Sequence, residues 1–166
     1  KVMLGTDEIP GRWALSGSNI PNVGDTGKYT AEFTADVHPE YYKPLTAKVT
    51  LDIAKAQAPA MADTTLSCYW GASGEKSVSL AGLPENTGEI YPATIAVSDV
   101  NGILAADSAR YSDGKLYFTL GENTEESIGN TAEITVTLPT QNYTDFTFRI
   151  TVTLSLIHIS EPTRQY

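Results

Sequence analysis

The residue types that carry most enzyme chemistry are sparse in this chain. It holds two histidines, His38 and His158, and one cysteine, Cys68. A Cys–His nucleophile or a metal-bound pair would need further partner side chains, and none accompanies His38 in the loop His38-Pro39-Glu40. We therefore expect His38 to lie on a loop surface and Cys68 to behave as a small buried hydrophobic residue.

Carboxylates are abundant, with 20 Asp and Glu residues against 11 Lys and Arg. A glycoside hydrolase needs two carboxylates that face each other across a cleft. Short strands joined by short loops supply no obvious cleft. The sequence thus predicts a chain that is not an enzyme, has no catalytic residues and needs no cofactor.

Asp99 and Asn101 are the candidates for a metal site, because Asp99-Val100-Asn101-Gly102 has the oxygen-bearing side chains of a calcium loop. A calcium ion takes six to eight oxygen ligands, and no 12-residue EF-hand frame follows this segment. Turn formation by Asp, Asn and Gly explains the same residues more simply. We therefore predict a turn here and no metal.

Trp13 and Trp70 are the candidates for ligand binding. Together with nine tyrosines they could stack on sugar rings, which would make the chain a carbohydrate-binding module. Since β-sandwich cores commonly hold a Trp, packing against the core is the interpretation that we favour for each.

An intramolecular isopeptide bond is a further chemical possibility, between Lys76 near an early strand and Asn130 or Asn142 near a late one. Such a bond needs a buried acidic neighbour. The sequence does not place one, so we do not predict the bond.

The charge of the chain excludes several partners. A formal net charge of −9 over 166 residues disfavours nucleic acids and anionic membrane surfaces, because both attract clustered Lys and Arg. No apolar run approaches the roughly 20 residues of a membrane-spanning helix. With a single cysteine, the chain cannot form an internal disulfide.

Strict alternation of apolar and polar residues dominates the secondary-structure pattern. Successive side chains of a strand point to opposite faces, so each alternating run predicts one apolar and one Thr-rich face. The apolar members of these runs are Tyr29–Ala35, Leu45–Ile53, Ala93–Val97, Leu116–Leu120, Ala132–Leu138 and Phe146–Val152, each at every second position. Gly- and Asn-rich turn segments separate them. The pattern predicts an all-β protein built as β-sandwiches.

A repeat is evident when the sequence is shifted by 101 residues. Thr30-Ala31-Glu32 then meets Thr131-Ala132-Glu133, and Tyr42 meets Tyr143. This spacing is close to the roughly 100 residues of an immunoglobulin-like sandwich. It predicts a short module at 1–54, an Ala/Pro-rich linker at 55–62 and a second sandwich at 63–153. The short module either belongs to a smaller type of repeat or has lost its first strands, and we favour the loss.

The chain resembles bacterial immunoglobulin-like repeats over nearly all of residues 1–153. The resemblance rests on the segments Gly11-Arg12-Trp13, Val23–Tyr29, Phe33-Thr34, Tyr41-Tyr42, Lys48–Leu51, Val78–Pro84, Asn101–Leu104 and Asn142-Tyr143. It implies two tandem modules of a large secreted or surface protein, with neighbouring modules as partners and no shared catalytic residues. Ala35 stands where the family often has proline.

Residues 154–166 form a tail of different character. Read in frame, the codons for Leu154 to Arg164 resemble the transposase mosaic-end adapter used in sequencing libraries, with Gln165 and Tyr166 derived from index bases. We therefore expect this tail to be non-native, and His158 to have no functional role.

These observations predict an extracellular bacterial spacer or adhesion module that holds a distal binding region away from the cell. Its partner beyond the neighbouring modules would be a glycan or a protein of a host or cell surface. Two alternatives remain open: a carbohydrate-binding module, and an accessory domain of a secreted glycoside hydrolase.

Overall fold

The computed structural model describes residues 1–17, 21–25 and 29–156. Within these ranges the chain forms strands, turns and two short 3-10 helices, and it contains no α-helix. The all-β prediction is therefore confirmed. The chain divides into two compact units, Lys1–Lys55 (unit 1) and Ala56–Tyr166 (unit 2).

Unit 1 consists of a small hairpin and a three-stranded antiparallel sheet. The hairpin joins β1 (Val2–Leu4) to β2 (Asp7–Ile9) through Gly5, whose φ of +66° favours glycine. The sheet has the order β3-β4-β5, with β3 at Gly11–Leu15, β4 at Tyr29–Ala35 and β5 at Leu45–Val49. A 3-10 helix, Pro39–Tyr41, lies between β4 and β5.

The alternating pattern of unit 1 forms strands, but it extends further than the last strand does. Alternation predicts a strand to Ile53, whereas β5 ends at Val49. Of the hydrophobic side chains that the structure describes in unit 1, the buried ones are Ala31 and Ala35. Among its described residues, unit 1 therefore has very little core, because neither of its sheets, β1-β2 and β3-β4-β5, buries a large hydrophobic side chain.

Unit 2 contains seven strands among its described residues, arranged in two sheets. The first sheet has the order β6-β12-β11-β8 and the second β7-β10-β9. The strands are β6 Thr64–Tyr69, β7 Glu75–Ser79, β8 Thr94–Ser98, β9 Arg110–Ser112, β10 Lys115–Thr119, β11 Thr131–Leu138 and β12 Phe146–Ser155. A second 3-10 helix, Glu125–Ser127, precedes β11.

The core of unit 2 lies between the apolar faces of these two sheets. Leu116 and Phe118 of β10 belong to the same buried cluster as alternate residues of β11 and β12, and both are 0% exposed. The inward residues of β11 and β12 are Ala132, Ile134, Val136, Leu138, Phe146, Phe148, Ile150, Val152 and Leu154, none more than 4% exposed. Two layers that bury their apolar faces against each other form a β-sandwich.

The first and last strands of unit 2 lie side by side and run parallel. Strand β12 pairs with β6 in a register that runs from Ile150 opposite Thr64 to Ser155 opposite Tyr69. All other strand pairs described in unit 2 are antiparallel. Leu154, the first residue of the predicted tail, is 1% exposed and completes this strand. His158 and the rest of the tail from residue 157 lie outside the described residues.

Residues 55–62, which the sequence predicts as a linker, are attached to unit 2 by hydrogen bonds. The Ala56 N–H donates to Asn142 O at 2.8 Å, and the Thr144 N–H donates to Ala56 O at 2.8 Å. The Ala58 N–H donates to the Thr144 hydroxyl at 2.8 Å, and Met61 packs against the core. Residues 56–62 therefore belong structurally to the sandwich that follows them, while Lys55 is the last residue of unit 1.

The two β-hairpins of the predicted repeat share an arrangement but differ in register. Thr30 lies opposite Lys48 in unit 1, and Thr131 lies opposite Thr153 in unit 2. A strict shift of 101 residues would place Thr30 opposite Asp52, which is four residues further along the chain. Side chains of a strand alternate between the two faces of the sheet, so a register difference of four residues leaves each side chain on its original face. The apolar residues therefore share one face in both hairpins.

Candidate functional site

Trp13 lies on a continuous apolar face of the unit 1 sheet. Directly opposite residues of an antiparallel pair share a face, and Trp13 pairs with Phe33, which in turn pairs with Leu45. We define the apolar face as the residues Gly11, Trp13, Leu15, Tyr29, Ala31, Phe33, Ala35, Leu45, Ala47 and Val49. Trp13, Leu15 and Leu45 are each 42–43% exposed on the outer strands β3 and β5, whereas Ala31 and Ala35 on the central strand β4 are buried.

Glycine at position 11 lets the aromatic residues of the apolar face pack closely. A Cβ on Gly11 would lie 2.2 Å from Phe33 Cζ and 2.5 Å from the Thr34 carbonyl oxygen. The Phe33 ring thus occupies the space above Gly11, and its centroid lies 5.4 Å from the Trp13 ring with the planes tilted by 55°. The two rings form a packed pair, as adjacent aromatic residues on a sheet commonly do.

The opposite face of the same sheet carries the polar and charged side chains. Arg12 lies opposite Thr34, and Glu32 lies opposite Thr46. Lys48 faces Thr30 on this side as well. Unit 1 therefore presents one charged face and one almost purely apolar face.

Trp70 has a different environment from Trp13. It packs against the core of unit 2, and its ring lies 5.4 Å from that of Tyr69 at an angle of 49°. Its indole N–H is buried and has no hydrogen-bond partner among the described residues. The tilted pair gives no flat surface for a sugar ring to stack on.

Asp99 and Asn101 form a turn. The Asp99 carboxylate accepts hydrogen bonds from the Ile103 N–H at 2.9 Å and from the Leu104 N–H at 2.8 Å. The Gly102 N–H donates to the Asp99 carbonyl, and Asn101 is exposed. Within the described part of the chain, no group of three or more His, Cys, Asp or Glu residues could hold a metal ion.

His38 and Cys68 lie in separate units and have separate roles. His38 has a positive φ of 49°, contacts Glu40 Oε1 through Nδ1 at 3.2 Å and stacks on Tyr41. Cys68 is buried in β6, and this burial raises the pKa of its thiol, an effect that nearby Lys76 partly offsets. A buried thiol with a raised pKa is a poor nucleophile.

The residues of the suggested isopeptide bond are engaged elsewhere. Lys76 Nζ donates to the Ser73 carbonyl at 3.1 Å, and Asn142 Nδ2 donates to the Asn86 carbonyl at 2.8 Å. Asn130 joins β12 through its own carbonyl, which accepts from the Leu154 N–H. These contacts hold the Lys76 and Asn142 side chains at different loops.

A groove of about 360 Å³ runs along the open edge of β8 in unit 2. Its floor is apolar, with Ile95, Val97 and Leu104, and its rim carries Asp99 and Asp107. Since the Asp99 carboxylate already accepts two backbone N–H groups, the groove does not present two free carboxylates to a substrate.

Sequence reasoning did not single out a charged cluster on the second sheet. Arg110 donates to Glu75 Oε1 at 2.8 Å and lies over the Tyr117 ring at 4.1 Å. Residues 75 and 110 belong to the two strands that flank β10, and Tyr117 belongs to β10 itself. Only the strand order brings these three residues together.

Comparison of the chain with protein-family models, with curated proteins and with solved structures finds no match. In the part of the chain that the structure describes, no helix is long and apolar enough to cross a membrane.

Proposed function

We propose that this chain is a non-catalytic, load-bearing spacer of an extracellular bacterial surface protein, built from immunoglobulin-like modules. The low content of candidate catalytic groups supports a structural role. The sandwich of unit 2 supports it further, because its core is local and modules of this kind can be joined end to end without new long-range contacts.

The parallel pairing of β6 with β12 is the observation that carries this proposal. Because the two strands are the first and the last of unit 2, tension along the chain pulls them in opposite directions. The hydrogen bonds between paired strands lie across the direction of this pull, so the six residue pairs from Thr64–Ile150 to Tyr69–Ser155 are loaded together, and the four pairs up to Ser67–Thr153 precede the tail that we expect to be non-native. They must break cooperatively, which gives unit 2 resistance to stretching.

Single-molecule force spectroscopy tests the proposal through the direction of pulling. Anchors placed at residues 63 and 156 load the β6–β12 ladder in shear. Anchors at residues 63 and 145 lie at the same end of the two strands, so they peel the ladder apart one pair at a time. We expect the shear geometry to need a clearly larger unfolding force, and equal forces would contradict the load-bearing role.

We also propose that unit 1 is part of a larger module whose second sheet lies outside the printed sequence. The exposure of Leu45 supports this, because Leu45 is 42% exposed opposite Phe33, whereas Ile150, which lies opposite Ile134 in unit 2, is 0% exposed. The resemblance of residues 154–164 to a translated adapter supports a non-native origin for the tail. Sequencing the gene from source DNA without transposase-made libraries tests both ideas, since it recovers the residues on either side.

Glycan binding through Trp13 is the second candidate function, because its ring is 42% exposed. A glycan array with wild-type chain, Trp13→Ala and Trp70→Ala distinguishes the two. Loss of a bound glycan in Trp13→Ala alone would favour a carbohydrate-binding module. We expect no glycan signal, because the face around Trp13 offers few hydrogen-bonding groups.

A further inference from the structure

We propose that the groove beside β8 binds an extended peptide segment of a partner protein, which joins the sheet of unit 2 as an added edge strand. The segment carries aliphatic residues at alternate positions and a Lys or Arg next to them. This inference adds a binding site to the spacer role and does not depend on it. The load-bearing ladder joins β6 to β12, and β6 is the strand at the other edge of the same sheet.

Strand β8 is an edge strand whose backbone is open to a further strand. It pairs with β11 and is the last strand of its sheet. Every second residue of a strand directs its N–H and C=O to the same side, so Thr94–Ser98 offers roughly four to six unpaired groups along its outer edge. In the described part of the chain, no backbone hydrogen bond joins β8 to a strand other than β11.

The edge strands of unit 2 differ in how well they are protected against pairing with another chain. Charged residues and prolines on an edge strand discourage such pairing. Strand β7 carries Glu75 and Lys76, and β9 carries Arg110. Strand β6 is uncharged, but Lys76 lines the space beside it and donates to the Ser73 carbonyl. Strand β8 has no charged residue, no proline and no glycine, so its edge is open to pairing.

Two aliphatic side chains of β8 face the groove and are only partly buried. Ile95 and Val97 lie opposite buried residues of β11, so they point to the core side of the sheet. Val97 is nevertheless 48% exposed, because the groove opens beside it. The packed core therefore stops short of this edge, and the aliphatic side chains of an added strand would extend it.

The opposite wall of the groove, residues 104–109, is held in place by hydrogen bonds to β10. The Ala105 N–H donates to the Thr119 carbonyl at 2.9 Å, and the Ser108 hydroxyl donates to the same carbonyl at 3.2 Å. Ala105, Ala106 and Ala109 line this wall, and such small side chains leave a space of about 360 Å³. A groove with two fixed walls can bind a strand without first being ordered, which lowers the free-energy cost of binding.

The charge of the groove favours a peptide that carries a cation. Asp99 and Asp107 lie at the rim, and the described lining residues include no Lys or Arg. Asp107 is exposed, whereas Arg110, the next cation along the chain, pairs with Glu75 at 2.8 Å. A Lys or Arg of the added strand can therefore pair with Asp107, and the net charge of −9 attracts a cationic segment.

An NMR titration of the full chain with a designed peptide tests the proposal. The probe peptide is Lys-Thr-Val-Thr-Val-Thr-Val-Lys, in which valines alternate with threonines between two lysines. We expect the amide signals of residues 94–98 to shift, with a dissociation constant of about 10–500 μM, because a single added strand makes a small interface. A control peptide has two prolines in place of the central Thr-Val. It keeps the charge but loses backbone N–H donors, so it should bind more than about tenfold more weakly.

Three variants of the chain locate the site. Val97→Lys places a cation on the open edge and should weaken binding of the probe by more than about tenfold. Val100→Lys is its matched control, because it adds the same charge at a side chain that is 91% exposed outside the groove, and it should leave binding unchanged. Asp107→Asn removes a rim charge and keeps a residue type that accepts the positive φ of 52°. It should weaken binding about two- to fivefold.

Four results would each overturn the proposal. They are equal binding of the two peptides, no binding of the probe to the wild type at about 5 mM, equal binding of the probe to Val97→Lys and Val100→Lys, and concentration-dependent shifts of residues 94–98 without any peptide. The last result would assign the groove to a second copy of the chain. If Val97→Lys fails to fold, the proline peptide and Asp107→Asn still decide the matter. The pulling test of the β6–β12 ladder is independent of all these results.

Discussion

Unit 1 and unit 2 contain the same arrangement of three antiparallel strands but bury it to very different extents. The buried hydrophobic residues described in unit 1 are Ala31 and Ala35, whereas unit 2 buries sixteen residues in one cluster. Both have strict alternation of apolar and polar residues. The difference lies in the sheet β7-β10-β9 of unit 2, whose apolar residues share one buried cluster with those of the sheet β6-β12-β11-β8.

This contrast shows that alternation of apolar and polar residues specifies a strand and its apolar face. The side chains of that face form a buried core only when another element packs against them. A single sheet leaves its apolar face in water and gains little free energy from burial. The early end of β5 fits this view. In unit 2 the matching strand is also paired along its other edge, with β6, while in unit 1 no described strand flanks β5 on that side.

The largest expected contrast comes from truncating one phenylalanine in each unit. Phe118→Ala removes a side chain that is 0% exposed, so it should lower the free energy of unfolding of unit 2 by about 3–5 kcal/mol. Phe33→Ala removes a half-buried phenylalanine of unit 1 and should cost about 1–2 kcal/mol. Urea denaturation measures both. Equal losses would show that the unit 1 sheet is covered in solution.

The second contrast separates the end of β12 from the tail beyond it. Leu154→Ala should lower the free energy of unfolding by about 2–4 kcal/mol, because Leu154 is 1% exposed within the core. Deleting residues 156–166 should change it by less than about 0.5 kcal/mol, since Leu156 is 62% exposed and β12 ends at Ser155. Thermal unfolding of the two variants measures this, and a large loss on deletion would contradict the boundary.

A smaller effect is expected at the turn after β8. Asp99→Ala removes the acceptor of two backbone N–H groups and should cost about 1–2 kcal/mol. Asn101→Ala is the matched control and should cost less than about 0.5 kcal/mol, because Asn101 is exposed. Adding calcium should leave the melting temperature of the wild type unchanged. A rise in melting temperature that Asp99→Ala abolishes would instead indicate a metal site.

The smallest effect concerns the pH dependence of unit 2. Burial raises the pKa of the Cys68 thiol above its ordinary value of 9.0, so the folded chain keeps its proton where the unfolded chain releases it. The effect of Cys68 on the free energy of unfolding is therefore absent below pH 9.0. As the pH rises from 9.0 towards the pKa of Cys68 in the folded chain, the free energy of unfolding falls. Comparing wild type with Cys68→Ala isolates it, since Tyr111, whose pKa is also raised by burial, is common to both. Identical pH profiles would show that the thiol is solvated.

Much of the strand content was predictable, because it depends on a local pattern. Alternation correctly located β4, β8, β10, β11 and β12. A strand with one buried face has apolar residues at every second position, and this pattern can be recognised in the sequence. It did not locate the three-residue strands β1, β2 and β9, which are too short to show a period. The predicted linker at 55–62 shows a different limit, because the Ala56 backbone bonds to Asn142 and Thr144, and the Ala58 N–H donates to the Thr144 hydroxyl. These contacts join residues more than 80 positions apart, which a local pattern does not reveal.

The candidate sites were predictable only as residue types. The turn at Asp99 followed from its composition, because Asp, Asn and Gly favour turns locally. The different environments of Trp13 and Trp70 could not be predicted from composition. Each environment depends on whether residues far away in the chain pack over the indole ring. The register of the two hairpins, which differs by four residues, also depends on loop geometry that a shift of 101 residues cannot reveal.

The sequence by itself determined that this protein is made of strands with one apolar face and that it is acidic. These properties are local or compositional, so they can be read residue by residue. Only the tertiary structure decided that β6 lies parallel to β12, that unit 2 closes its core and that Trp13, Leu15 and Leu45 of unit 1 stay partly exposed. Each of these depends on contacts between residues far apart in the chain, which the period of a strand does not encode.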